Sequence, residues 1–191
     1  MLAAAGVDWV QIREKDLPGR ELAAVVRQAL RGASAQAETD SRSTRILVND
    51  RIDVALTEGA AGVHLGESSL PVYETKRLVR ARVSGRDFLV GVSCHSPENA
   101  KSAATSGADY LFFGPIFATP SKAVFGEPQG VARLAEICES FTIPVLAIGG
   151  MTLENASACL RAGAAGIAAI RLFQDARDPA RVVQALRQMR R

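Results

Sequence analysis

Arg13, Glu14 and Lys15 follow directly on the apolar run 10–12, and Asn49 and Asp50 on the run 46–48. The same juncture recurs at Gly66, Glu67, Ser68 and Ser69 after 63–65, and at Ser93, Cys94 and His95 after 89–92. It returns across 114–122, with Thr119, Ser121 and Lys122, after 110–113, and at Gly149 and Gly150 after 145–148. Cations, hydroxyls and unobstructed backbone N–H groups are what a phosphorylated small molecule needs. Buried parallel strands read as such apolar runs, and their C-terminal ends are where barrels and doubly wound sheets build a site. Chemistry gathered at one end of every strand is an enzyme's layout. Bland alternatives stand beside each motif: a solvated charge triplet at 13–15, a helix N-terminal acid at Asp50, a plain turn at Gly149 and Gly150.

Composition narrows the classes further. The chain has 191 residues, 48% apolar and 23% charged, enough for one well-buried domain over 1–191. Its net charge of +3 is small, and Lys and Arg are scattered among 20 acids without interleaved aromatics, which speaks against nucleic acid. No run approaches the roughly 20 apolar residues of a membrane helix, and the first ten residues lack the pattern of a signal peptide, so no membrane partner and a cytoplasmic location are expected. Three cysteines, Cys94, Cys138 and Cys159, lack metal-ligand spacing and read as reduced structural thiols. A homo-oligomer is compatible with this composition.

The elements that must position these residues repeat. A helix end, a glycine, a small or acidic residue and a strand recur around Gly6, Gly59, Gly107 and Gly163, each glycine suited to the left-handed position that ends a helix. A further strand lies in each interval, which gives about 24 to 28 residues per βα unit and seven strands. Helices are expected over 20–31, 70–80, 96–106 (with Ser96 as N-cap before Pro97), 130–140, 152–162 and 179–189. Leu22, Val25, Val26, Ala29 and Leu30 form the apolar face of the first, and 32–44 reads as a surface loop. The chain opens on what reads as a helix tail at 2–5, so the expected fold is an α/β (β/α)8 TIM barrel lacking its first βα unit, with Met1 an internal methionine or the start of a truncated form. A complete seven-stranded open sheet is the alternative.

The strings Gln11-Ile12-Arg13-Glu14-Lys15, Val48-Asn49-Asp50-Arg51, Gly62-Val63-His64-Leu65-Gly66, Gly91-Val92-Ser93-Cys94-His95-Ser96, the run 114–122 and Ala147-Ile148-Gly149-Gly150 together resemble the thiamine phosphate synthases and their thiazole tautomerase relatives. The resemblance covers essentially the whole chain. It implies the eight-fold barrel, and a reaction that joins a pyrimidine methyl diphosphate to a thiazole phosphate, releasing pyrophosphate and forming thiamine monophosphate. It also implies that Arg13, Lys15, Asn49, Ser93 and Lys122 hold the diphosphate, that Gln11 helps to place the pyrimidine, and that Glu14 faces inward as a positioning partner. A diphosphate leaving group must be neutralised by a metal and fixed cations, here Arg13, Lys15 and Lys122. Asp50 suits Mg²⁺, which takes one or two carboxylates, substrate phosphate and water. Thr119, Ser121, Gly149 and Gly150 suit the second substrate's phosphate.

The chain departs from that family in three places. Ser69 stands where the family usually has a second aspartate, with Glu67 nearby as a substitute carboxylate. Ile170 and Arg171 stand where it has an Ile-Ser or Val-Ser pair, and the arginine would either add a phosphate contact or crowd the thiazole. Pro115 stands where the tautomerases carry a histidine. The open alternatives are therefore a tautomerase-like isomerase and a non-catalytic binder of thiazole or pyrimidine phosphates. His64, within a strand, reads as a buried core histidine, His95 sits at a strand end, and no base–nucleophile pair is visible. Trp9 and Tyr110, at the starts of strands, read as packing residues.

Overall fold

The strands form where the apolar runs fall, and a helix follows each along the chain. The structure is a computed structural model that describes residues 2–37, 43–83, 87–119 and 127–189. It divides into two compact units, Met1–Gly91 and Val92–Arg191, with the division inside one strand.

The first unit runs β1 (Trp9–Ile12), α1 (Gly19–Ala37), β2 (Arg45–Asn49), α2 (Ile52–Glu58), β3 (Gly62–Leu65) and α3 (Val72–Arg82), into β4 (Leu89–Cys94), which holds the division. β1 pairs in parallel with β2, Gln11 opposite Leu47, and β2 with β3, Asn49 opposite His64. Side chains alternate along a strand and paired residues share a face, so Gln11, Leu47, Asn49 and His64 lie on one face. β3 is buried throughout, as expected of a parallel strand covered on both sides.

The second unit continues with α4 (Pro97–Thr105), β5 (Tyr110–Phe113), α5 (Gly130–Ser140), β6 (Val145–Ile148), α6 (Leu153–Arg161), β7 (Gly166–Ala168), α7 (Arg171–Gln174) and α8 (Pro179–Gln188). β5 pairs in parallel with β6, Phe113 opposite Ala147, and β6 with β7, Ile148 opposite Ala168. β5 is buried throughout, and the rings of Tyr110 and Phe112 stand 5.5 Å apart and tilted. Burial, then the nearby Asp109, pushes the Tyr110 phenol far up, so Tyr110 is a packing residue. Within each unit the paired strands follow one another in chain order. This is an α/β, TIM-barrel-like alternation of parallel strands and helices.

The repeat read from the glycines is present in the backbone: Gly6, Gly59, Gly107 and Gly163 all take positive φ. Ser96 caps α4 by accepting from the Asn99 N–H at 3.2 Å, with Pro97 in the first turn. Residues 2–5 form turns, with Ala5 N–H donating to Leu2 O and Gly6 N–H to Ala3 O. One expectation fails. α1 does not stop at 31 but reaches Ala37, because alanines sustain a helix better than their small size suggests and Ala33 extends the buried stripe of Leu22 and Val26 by two turns. Among the described residues no helix is long and apolar enough to cross a membrane.

Candidate functional site

In the first unit the functional side chains stand at the C-terminal ends of β1, β2 and β3. β2 ends at Asn49, and Asp50 turns the chain into α2 with φ at +59°, the one described residue other than glycine with positive φ. Asp tolerates this left-handed conformation better than most residues, because its short side chain bonds locally. Three backbone bonds fix the turn: Asp50 N–H to His64 O at 2.9 Å, Arg51 N–H to Asn49 O at 2.7 Å, and Ile52 N–H to Asp50 O at 2.9 Å.

The Asp50 carboxylate sits in a small polar network. Asn49 Nδ2 donates to Asp50 Oδ2 at 2.7 Å, and Gln11 Nε2 donates to Asn49 Oδ1 at 2.8 Å. A carboxylate only accepts, so Asn49 must present its nitrogen to Asp50 and its oxygen to Gln11. Ser69 Oγ donates to Asp50 Oδ1, and the Gly66 N–H reaches the same oxygen at 3.4 Å. Gln11, Asn49 and Asp50 are thus brought together as a motif, half-buried. Arg13, Glu14 and Lys15 lie exposed beyond β1. Glu67 is also exposed, and the side chain that meets Asp50 from the β3 loop is Ser69. Arg51 turns to Asp53 in a two-bond pair at 2.9 and 2.6 Å, which holds the Asp53 carboxyl below its usual range.

The second unit gathers its site residues differently. The Gly149–Gly150 turn after β6 lies under the loop that leaves β5: a Cβ on Gly149 would stand 2.6 Å from Pro115 Cα, and one on Gly150 2.8 Å from the Phe117 and Ala118 carbonyl oxygens. Phe117 N–H donates to Gly149 O at 3.1 Å, and Asn155 Nδ2 to Gly150 O at 2.9 Å. Asn155 also completes a capping box with Thr152, which ties the turn to the start of α6. Arg171 Nη2 donates to Thr119 Oγ1 at 2.9 Å, a pairing across 52 residues of two side chains expected at one phosphate site. Ile170, beside it, is 59% exposed. Ser93 is half-buried in β4, and His95 Nδ1 bonds Gly114 O, which gives that ring a structural partner. Ser121 and Lys122 lie outside the described residues. His64 is buried, as expected.

Cys94, Cys138 and Cys159 are free thiols. Burial, then the neighbouring Cys159 and Glu139, pushes the Cys138 thiol up to about 11, and burial raises Cys159 too. Protonated thiols are poor nucleophiles, which agrees with their reading as structural groups.

Known proteins resemble this chain in sequence and fold. Residues 1–173 match the family model described as thiamine monophosphate synthase. A protein of Geobacter sulfurreducens is 45% identical over 186 residues, spanning 96% of this chain and 82% of its own length. The thiamine-phosphate synthase of Anaeromyxobacter dehalogenans is 42% identical over 174 residues, spanning 91% of this chain and 73% of its own. Among solved structures, the thiamine phosphate pyrophosphorylase from Pyrococcus furiosus superposes with a TM-score of 0.82 at 31% identity, over 98% of this chain and 85% of that one. With the match running through the strands and the loops that carry Gln11, Asn49, Asp50 and Gly149, the chain belongs to the thiamine monophosphate synthase family of enzymes.

Proposed function

We propose that this chain joins a hydroxymethylpyrimidine diphosphate to a thiazole phosphate with Mg²⁺, releasing pyrophosphate and forming thiamine monophosphate. The observation that carries the reading is the Asp50 carboxylate, aimed by a left-handed turn and held by Asn49 and Ser69 at the ends of β2 and β3. The donor set fits the metal through the carboxylate: its oxygens are hard ligands, and Mg²⁺ commonly takes one or two carboxylates and completes its sphere with substrate phosphates and water. When bound, Mg²⁺ supplies positive charge to the departing diphosphate.

The remaining work falls to the chain's own side chains. The C–O bond between the pyrimidine methylene and the diphosphate breaks, its electron pair leaves with the diphosphate, and the thiazole nitrogen gives its pair to the methylene carbon. No proton moves, so the reaction needs no base–nucleophile pair. Arg13 and Lys15, exposed beyond β1, are assigned to neutralise the leaving group, with Asn49 donating to it and Gln11 orienting the pyrimidine. The family resemblance assigns Ser93 and Lys122 to the same diphosphate, and Glu14 to positioning. Thr119, Ser121, Gly149, Gly150, Ile170 and Arg171 are assigned to the thiazole phosphate, where Arg171 adds a guanidinium.

The test is pyrophosphate release and thiamine monophosphate formation from the two phosphorylated substrates, with Mg²⁺ and with a chelator. Product in the first condition and none in the second is expected. Failure to form product with Mg²⁺ and both substrates present would reject the reading.

A further inference from the structure

The Asp50 carboxylate has a partner on each side, and the direction of every proton can be read. Ser69 Oγ accepts the Gly66 N–H at 2.7 Å, and Ser69 N–H donates back to Gly66 O at 3.1 Å, so the hydroxyl oxygen is locked in a four-residue turn. Its own proton is left to donate, and the acceptor it touches is Asp50 Oδ1. On the other side Asn49 Nδ2 donates to Oδ2, with its own orientation fixed by Gln11. The left-handed backbone at Asp50 sets where the side chain leaves the chain, and these two donors remove the rotation that remains.

Ser69 does this without bringing charge. Among the described residues there is no group of three or more His, Cys, Asp or Glu able to hold a metal ion. A single carboxylate leaves most of the coordination sphere of Mg²⁺ to be filled by water and phosphate oxygens. We propose that Ser69 is a positioning residue that orients Asp50 as a lone carboxylate ligand, so that the protein takes its divalent cation together with the substrate's diphosphate and not ahead of it. This rests on the reading of Asp50 as the metal ligand.

Mn²⁺ can stand in for Mg²⁺, with protein-bound ion measured by equilibrium dialysis of the full chain, with and without a fixed concentration of inorganic pyrophosphate. Weak binding is expected without pyrophosphate and clear retention with it; equally tight binding in both overturns the inference. Ser69→Ala is expected to weaken retention in the presence of pyrophosphate by about 10-fold, the usual size of losing a group that orients a metal ligand. Ser69→Thr, which keeps the hydroxyl, is expected to restore it. Ser69→Asp adds a second carboxylate and is expected to tighten binding without pyrophosphate by about 10-fold or more, since ligand charge tunes such sites. Unchanged retention in Ser69→Ala overturns the positioning role; should that variant not fold, unchanged pyrophosphate-free binding in Ser69→Asp does so. Asp50→Asn separates the two layers. Binding lost in Asp50→Asn but intact in Ser69→Ala overturns this inference alone, whereas binding intact in Asp50→Asn overturns the metal-ligand reading beneath it.

Discussion

The loops after β2 and β3 and the loops after β5 and β6 are built by opposite means. In the first pair, side chains do the fixing: Gln11, Asn49 and Ser69 converge on Asp50, whose own backbone sits in an unfavourable region for a non-glycine residue. In the second pair, backbone does it: Gly149 and Gly150 take positive φ and leave no room for a Cβ under the β5 loop, and the capping box of Thr152 and Asn155 ties down the Gly150 carbonyl. Side-chain wiring on a strained turn places function where stability gains little. Backbone fit makes the loop itself part of the folded core. The same kind of substitution should therefore have opposite consequences in the two places.

The sharpest contrast comes from exchanging the residue types. Asp50→Gly keeps the left-handed turn available while deleting the carboxylate, and Asn49 and Ser69 are half-exposed enough to bond water instead. It should lower kcat/KM by about 100- to 1000-fold, the size of losing a charge-stabilising group, with thermal stability changed by less than about 1 kcal/mol. A melting curve beside a steady-state assay checks both halves, and a large drop in Tm would erase the distinction. Gly150→Ala should do the reverse. Its Cβ would stand 2.7 Å from Phe117 Cβ and 2.8 Å from the Ala118 carbonyl at a φ of +65°, so the β5 loop must shift. A loss of about 2 to 3 kcal/mol is expected, from overpacking and the left-handed penalty together. Denaturant titration measures it; a wild-type midpoint would mean that this loop is held by something other than fit.

The contrast also marks what could be read from sequence. Strands were legible because a parallel strand covered on both faces has to be an apolar run, as at 63–65 and 110–113, and its end has to be where polar residues begin. The glycines at 59, 107 and 163 were legible because only a helix end followed by a strand asks for that residue at that spacing. The site's members followed from their place at strand ends, but their partners did not. Ser69 meets Asp50 across 19 residues and Arg171 meets Thr119 across 52, and nothing local encodes either contact. The reach of α1 to Ala37 and the short α7 escaped for a related reason: alanine-rich and four-residue segments carry too little pattern to tell helix from loop.

Arg171 tests whether the second region also carries function in a side chain. Its guanidinium holds Thr119 at 2.9 Å on an exposed surface, so little stability depends on it. If it serves the thiazole phosphate, Arg171→Ala should raise the KM for that substrate about 10-fold and leave kcat within about twofold, as a charged hydrogen bond lost equally from ground and transition states would. Tm should hardly move. An unchanged KM would leave backbone groups as the second region's contribution to binding.

The smallest effect lies behind those loops, where α5 meets α6. A Cβ at Gly163 would stand 3.0 Å from Cys138 Cβ, so this thiol sits in a tight seam. Burial raises it from an ordinary 9.0 to about 11 in the folded chain. Above pH 9 the unfolded chain releases this proton first and so binds fewer protons than the folded one; stability must fall with rising pH across the window from 9 to 11. Cys138→Ser keeps the size and removes the titration, so its stability should fall less steeply than the parent's over that window, by less than about 1 kcal/mol for a half-exposed group. Other alkaline groups titrate there as well, which is why the difference between the two denaturation profiles is the quantity to measure. Parallel profiles would mean that the seam admits water to the thiol, and that the close fit of the second unit stops at the loops above it.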